Sequence, residues 1–272
     1  MNKRIYILLA TYNGEKYLNE QIDSLLKQTY KYWVLWVHDD NSTDNTVSIL
    51  KEYRKQYTDK IKLLDDSFSA GGAKENFTYL LNNIDHNYDY IMFCDQDDIW
   101  FEDRIEIFVN RMKGIECDNQ FTPVLIHSDL TLVDESLSLI SDSFFKYQKI
   151  NPEWSKEFEL SLVQNSVTGC AMMINKQAKV ISLPIGRNAI MHDWWILLKI
   201  LQKDGIVEYL DVTTIFYRQH SLNDIGARGF SWLRVLTKTN SLKKYQLMSK
   251  DLGLNLSLFK IMFIKARRFL WY

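Results

Sequence analysis

The chain opens on a rhythm of short apolar runs and amphipathic stretches. Ile5 to Leu9 is continuously apolar, and Leu18, Ile22, Leu25 and Leu26 then recur at helical spacing. Trp33 to Val37 is a second run, followed by the cap-rich turn Asn41-Ser42-Thr43-Asp44 and a helix with Val47, Leu50 and Tyr53 inward. Ile61 to Leu64 makes a third strand, Lys74 to Asn82 a helix after the Ser69-Ala70-Gly71-Gly72 loop, and Tyr90 to Phe93 a further strand. Ile105, Phe108, Val109 and Met112 mark another amphipathic helix. Strands alternating with helices of this length predict an α/β fold, a mostly parallel sheet with helices on both faces.

From Val124 the pattern changes. Strand-like runs at Val124 to Ile126 and Val167 to Ile174 enclose a polar and aromatic stretch, Ser138 to Glu159, that reads as loop and short helix. A helix begins at Met191 and reaches about Gln202, and Ile206 to Leu210 and Thr214 to Tyr217 are expected as two closing strands. No internal repeat or low-complexity linker interrupts the chain. The expected division is a catalytic domain over residues 1–227 and a basic amphipathic helical extension over residues 228–272.

Composition narrows the class. With 272 residues, 46% hydrophobic and 25% charged, the chain is expected to be a soluble globular protein long enough for an enzyme. Three cysteines without metal-ligand or disulfide spacing read as reduced residues of a cytoplasmic protein, with no zinc site. The apolar segment Ile5 to Ala10 is expected to be too short for the core of a secretion signal, and no run of about 18 apolar residues occurs in the sequence. A net charge of -1 hides an asymmetry, because residues 228–272 carry ten Lys and Arg against Asp251 alone. The acidic remainder disfavours nucleic acid. The basic segment, whose apolar residues run from Phe230 and Trp232 to Leu270 and Trp271, suits peripheral contact with an anionic bilayer. Packing on the core or on a second copy, as a homo-oligomer, is the alternative.

The chemistry concentrates in Cys94-Asp95-Gln96-Asp97-Asp98, which follows a strand directly. Clustered acids at the rim of an open sheet suit a magnesium or manganese ion carrying a diphosphate. The plainer alternative is that Asp97 or Asp98 caps the helix that starts near Phe101. Asp39-Asp40 ends the second strand at the same expected rim, where a carboxylate can accept the imide N–H of a pyrimidine; Asp40 or Ser42 could instead cap the next helix. Thr11-Tyr12-Asn13-Gly14-Glu15 places polar groups and one ring where a base could be stacked and hydrogen-bonded, with capping by Thr11 or Asn13 expected as well.

Downstream, Asp193 in His192-Asp193-Trp194-Trp195 lies at a helix start beside two indoles. Desolvation there would raise its proton affinity toward that of a general base, with helix capping the alternative. In Tyr217-Arg218-Gln219-His220 the imidazole could complete a metal shell begun by Asp97 and Arg218 could pair with phosphate oxygens.

Taken together, Ala10-Thr11-Tyr12-Asn13 with Glu15, Ser24 to Thr29, Asp39 to Asp44, Asp95-Gln96-Asp97-Asp98 and His192 to Trp195 resemble the family 2 glycosyltransferases over roughly residues 1–220. Val167 to Ala171, the Trp194-Trp195 pair and Tyr217 to His220 look most like the bacterial rhamnosyltransferase branch of surface-polysaccharide and cell-wall synthesis. The resemblance implies a GT-A fold, a nucleoside-diphosphate sugar donor, a divalent metal (manganese or magnesium) and transfer with inversion. Carried onto this chain, Thr11, Tyr12 and Asp40 hold the base and Asp95 the ribose or metal-bound phosphate. Asp97 and His220 bind the metal, with Asp95 or Asp98 assisting Asp97, a choice that Gln96 between the acids leaves open, and Asp193 is the base. Asn13, Glu15, Gln96 and Arg218 are added to the donor side, and His192, Trp194 and Trp195 to the acceptor side.

The implied reaction moves L-rhamnose from dTDP-rhamnose to a glycan or lipid-linked glycan at the cytoplasmic face of the membrane. A UDP-hexose donor, a nucleotidyltransferase or nucleoside-diphosphate hydrolase, and a non-catalytic nucleotide-sugar-binding module are the alternatives.

Overall fold

The computed structural model describes residues 2–64, 68–220 and 239–267. Strand β1 (Ile5–Thr11) pairs in parallel with β2 (Trp33–Asp39) on one side and β4 (Tyr90–Cys94) on the other, and β2 pairs with β3 (Ile61–Leu63). These strands read as unbroken apolar runs because both faces are covered. Ile5, Ile7 and Leu9 pack with α1 (Leu18–Leu26) and α4 (Arg104–Asp118), while Tyr6 and Leu8 pack with α3 (Ala73–Asn83) and α8 (His192–Gln202). Helix α2 (Thr46–Gln56) joins the first group through Leu50.

Beyond β4 the sheet is mixed. β8 (Met172–Asn175) lies antiparallel between β4 and β6 (Val124–Val133), which pairs in parallel with β9 (Ile206–Arg218). Two reversals thus return β6 and β9 to the direction of β1, β2 and β4, so all five end on one rim. β5 (Ile99–Trp100) closes the order β3-β2-β1-β4-β8-β6-β9-β5, and β7 (Leu139–Ser141) pairs with β6.

Several expectations are corrected. The run Val167 to Ile174 is a 3-10 turn, Gly169–Ala171, followed by β8. The two expected closing strands are one, β9, whose Asp211 and Val212 bulge out where the register against β6 shifts at Ser128 and Asp129. The stretch read as loop and short helix holds β7, α5 (Phe144–Gln148) and a 3-10 turn, Pro152–Lys156. Two further helices, α6 (Phe158–Val163) and α7 (Lys176–Ser182), carry no strong helical period.

The boundary at 227 and 228 lies outside the described residues. Within the extension, α9 (Thr239–Asp251) and the residue after it set Met248 and Leu252 against Leu162, Trp195 and Leu198, and α10 (Leu258–Arg267) sets Ile261 and Ile264 against Val163. Among the described residues no helix is long and apolar enough to cross a membrane. Cys94, Cys117 and Cys170 form no disulfide.

Candidate active site

Parallel pairing aligns Thr11 with Asp39 and Leu9 with Cys94, which brings the loops after β1, β2 and β4 together. Thr11 Oγ1 donates to Asp39 Oδ1 at 2.8 Å, and Ser42 donates to the same carboxylate from its backbone N and its Oγ. Asn13, held at φ 47°, accepts the Thr43 N–H, and Glu15 accepts from the backbone and side chain of Asn45 at 2.9 and 2.7 Å. Thr11, Asn13 and Glu15 therefore staple the first two rim loops together. None of them caps α1, whose N-cap is Tyr17, and neither Asp40 nor Ser42 caps α2, whose N-cap is Asn45.

Tyr12 leaves its ring 57% exposed on the rim. Its backbone is clasped by Gln96, which donates to the Tyr12 carbonyl and accepts the Tyr12 N–H, both at 2.9 Å. A Cβ on Gly14 would stand 2.3 Å from the Gln96 oxygen, so the clasp requires glycine there. Asp40, buried, accepts from the backbone N–H of Ala70, Gly71 and Gly72 at 2.6, 2.8 and 3.0 Å and from Ser69 Oγ at 3.3 Å. Those four bonds order the loop that borders the rim.

The acidic loop caps nothing: α4 begins at Arg104 behind Asp103, without a side-chain cap. Asp97 Oδ2 lies 2.7 Å from His220 Nε2, and the imidazole packs on the Tyr17 ring at 4.8 Å. Asp95 is half-buried and Asp98 fully buried. Burial, reinforced by the charges of Asp97 and Asp95, pushes the Asp98 carboxyl well above the usual range, and burial lifts the Cys170 thiol likewise.

Ligand atoms of Asp95, Asp98 and Cys170 lie within 4.8 Å of one another. A hard cation prefers charged oxygens over a protonated carboxyl and thiol. Asp97 and His220, which pair with each other, offer a carboxylate oxygen and an imidazole nitrogen on the same rim. Arg218 departs from expectation. Its guanidinium, on a residue only 2% exposed, donates to the Asp97 carbonyl, the Glu135 carbonyl and the Glu20 carboxylate, so it ties the rim loops together instead of facing a phosphate.

Asp193 sits in the first turn of α8, behind the N-cap Met191. Its Oδ1 accepts the Trp194 N–H, and Gly169 N–H and the Asn165 side chain also donate to the carboxylate. Burial outweighs these donors and raises the carboxyl from 3.8 to about 7. A Cβ on Gly169 would stand 3.6 Å from Asp193 Oδ2, while the next residue, Cys170, meets Asp95 and Asp98. One dipeptide thus separates the possible base from the acids after β4.

Two acceptor-side expectations fail. His192 is buried between Phe77 and Phe93 at 4.2 and 5.1 Å, which lowers its pKa to about 3. Trp195 is a core residue that donates to the Ser182 carbonyl. Trp194 is half-buried against Tyr245 of α9 at 5.7 Å.

Residues 6–179 match the sequence profile described as Glycosyl transferase family 2. The chain belongs to that family. This family 2 chain is 29% identical to the dTDP-rhamnosyl transferase RfbG of Shigella flexneri over 231 residues, 80% of this chain and 74% of RfbG. It is 35% identical to WfgD of Escherichia coli, a UDP-Glc:alpha-D-GlcNAc-diphosphoundecaprenol beta-1,3-glucosyltransferase, over 40% of each protein. Among solved structures it superposes on S. aureus TarS 1-349 in complex with UDP-GlcNAc with a TM-score of 0.64 and 16% identity, over 97% of this chain and 71% of that one. On the mannosyltransferase PcManGT of Pyrobaculum calidifontis, in complex with GDP-Man and Mn2+, the TM-score is 0.62 at 14% identity, over 98% and 70%. The fold is of the GT-A type and the protein is a glycosyltransferase.

Sequence reasoning missed parts of the site of this family 2 enzyme. Arg104, fully buried, donates to the Cys170 carbonyl at 2.7 Å and to Thr214, and it packs on Trp100 and Phe108. Burial lowers its pKa to about 10. Tyr17 lies under both His220 and Arg218, and Glu20 pairs with Arg218. Arg104, Tyr17 and Glu20 occupy ordinary helix-start positions in the sequence, which gives no local signal of these long-range contacts.

Proposed function

We propose that the protein is an inverting, metal-dependent glycosyltransferase that moves L-rhamnose from dTDP-rhamnose to a hydroxyl of a lipid-linked or surface-polysaccharide glycan. The observation that carries the reading is the Gly169-Cys170 dipeptide, which holds Asp193 on one side and the acids after β4 on the other. A base and a diphosphate site so close bracket one anomeric centre, and a single base suffices for inversion. The similarity to RfbG favours rhamnose from a dTDP donor.

In this reading Tyr12 stacks on the base, and the base imide N–H replaces the long 3.3 Å Ser69 bond on Asp40, whose four acceptor positions are otherwise filled. Asp95, Asp97 and His220 would hold manganese or magnesium, which as a Lewis acid neutralises the charge of a departing diphosphate. Asp193 takes the proton of the acceptor hydroxyl onto a carboxylate oxygen as that hydroxyl attacks. Its raised pKa matches that task near neutral pH.

The likeness to WfgD favours a second donor, a UDP-hexose. Incubation with manganese and a panel of dTDP- and UDP-sugars, with and without a rhamnose-terminated acceptor, separates the two by acceptor-dependent release of dTDP or UDP. Diphosphate release that persists in Asp193→Asn, or that ignores the acceptor, would overturn the transfer reading.

A further inference from the structure

Helix α10 (Leu258–Arg267) carries two opposed apolar faces. Ile261 and Ile264, 0% and 1% exposed, seat it on Val163, Leu242, Tyr245 and Leu256. On the opposite side Leu258, Phe259, Met262 and Phe263 are 46%, 74%, 50% and 54% exposed. At helical spacing these four fall within an arc of about 140°. Lys265 borders the arc on one edge, and Lys260 and Arg267 on the other.

A contiguous patch of large apolar side chains in water marks a surface that something covers. The charges around it choose the occupant. Helix α10 carries Lys260, Lys265 and Arg267 and no acid, and the nearby Glu159 offsets part of this by pairing with Lys260 and Arg267 at 3.2 and 2.7 Å. A second copy meeting this face across a two-fold axis would bring the same cations toward each other. An apolar arc edged by cations instead matches an interface of acyl chains beneath anionic headgroups.

We propose that α10 docks on an anionic bilayer, with Leu258, Phe259, Met262 and Phe263 below the headgroups and the flanking cations among the phosphates. The inference stands on this surface alone. Helices α9 and α10 rest on α6 and on α8, the helix that carries Asp193, so where the proposed function also holds, docking would bring the catalytic domain to the membrane that holds a lipid-linked acceptor.

The full chain and its Phe259→Ser/Phe263→Ser variant are sedimented with vesicles of phosphatidylcholine, with and without phosphatidylglycerol, in the absence of any substrate. The native chain is expected to bind the anionic vesicles and to be released by salt, and the variant to bind at least about tenfold more weakly at unchanged melting temperature. Equal binding by both chains, no binding to anionic vesicles, or equal binding to neutral ones overturns the proposal. A dimer seen by light scattering, abolished in the variant and unaccompanied by vesicle binding, assigns the face to a second copy and overturns it too. Because no turnover is measured, failure of the glycosyl transfer reading leaves these outcomes unaffected.

Discussion

As the proposed base, Asp193 would couple activity to stability at a single carboxyl. Burial lifts it from 3.8 to about 7, so across that interval the folded chain keeps a proton that the unfolded chain has released. Its contribution to stability is present below about pH 4, falls as pH rises to about 7 and is level beyond. Asp193→Asn is expected to flatten that slope and to raise stability at pH 8 by roughly 1–2 kcal/mol, read as a melting temperature series against pH. The same change should lower acceptor-dependent kcat by about 10²–10⁴-fold. In the native enzyme the acidic limb of the kcat profile should fall below a midpoint near 7, because only the ionised carboxylate accepts a proton. For the metal side, His220→Ala removes the partner of Asp97, and the manganese concentration for half-maximal rate is expected to rise about 10–100-fold. The candidate acids after β2 and β4 were legible because carboxylates stand directly after apolar runs, and Asp193 because it opens a helix beside two indoles. Their directions were not: nothing in the sequence around His192 says that its ring lies between Phe77 and Phe93, since that depends on how α3 and α8 cross the sheet.

Elements were legible where burial is uniform. β1, β2 and β4 are covered on both faces and show as unbroken runs, whereas β9 carries a two-residue bulge at Asp211 and Val212 that reads as a break between two strands. Short helices such as α6 and α7 span too few turns for a helical period to emerge. The seat of α8 depends on Gly186, where a Cβ would stand 2.4–3.0 Å from the buried Trp195 ring. That ring is pinned by its bond to the Ser182 carbonyl, so Gly186→Ala is expected to destabilise the fold by about 1–3 kcal/mol and to reduce kcat by displacing Asp193. Thermal denaturation and steady-state kinetics check the two effects. Arg218, at the end of β9, joins the loops bearing Asp97 and Glu135 to Glu20 in the first turn of α1. Its replacement by leucine leaves the buried Asp97 carbonyl and two part-buried acceptors without a donor and should cost about 1–3 kcal/mol, measured by chemical denaturation.

For the whole molecule, a charge asymmetry marked residues 228–272 as distinct, yet charge does not report which of their apolar residues turn inward. Met248, Leu252, Ile261 and Ile264 complete the cover of α6 and α8. A chain ending at Ala227 is therefore expected to expose Leu162, Trp195 and Leu198, and to aggregate or melt several degrees lower in a scanning fluorescence experiment. The Gly169-Cys170 turn has a different reach. In the proposed reading these neighbours abut both the base and the acids of the metal side, so a shift of one would be felt by the other. Diversification among such enzymes would then be confined to the periphery, where the rim loops that choose the sugar and the surfaces that present the acceptor can change while the hinge pin between them stays fixed.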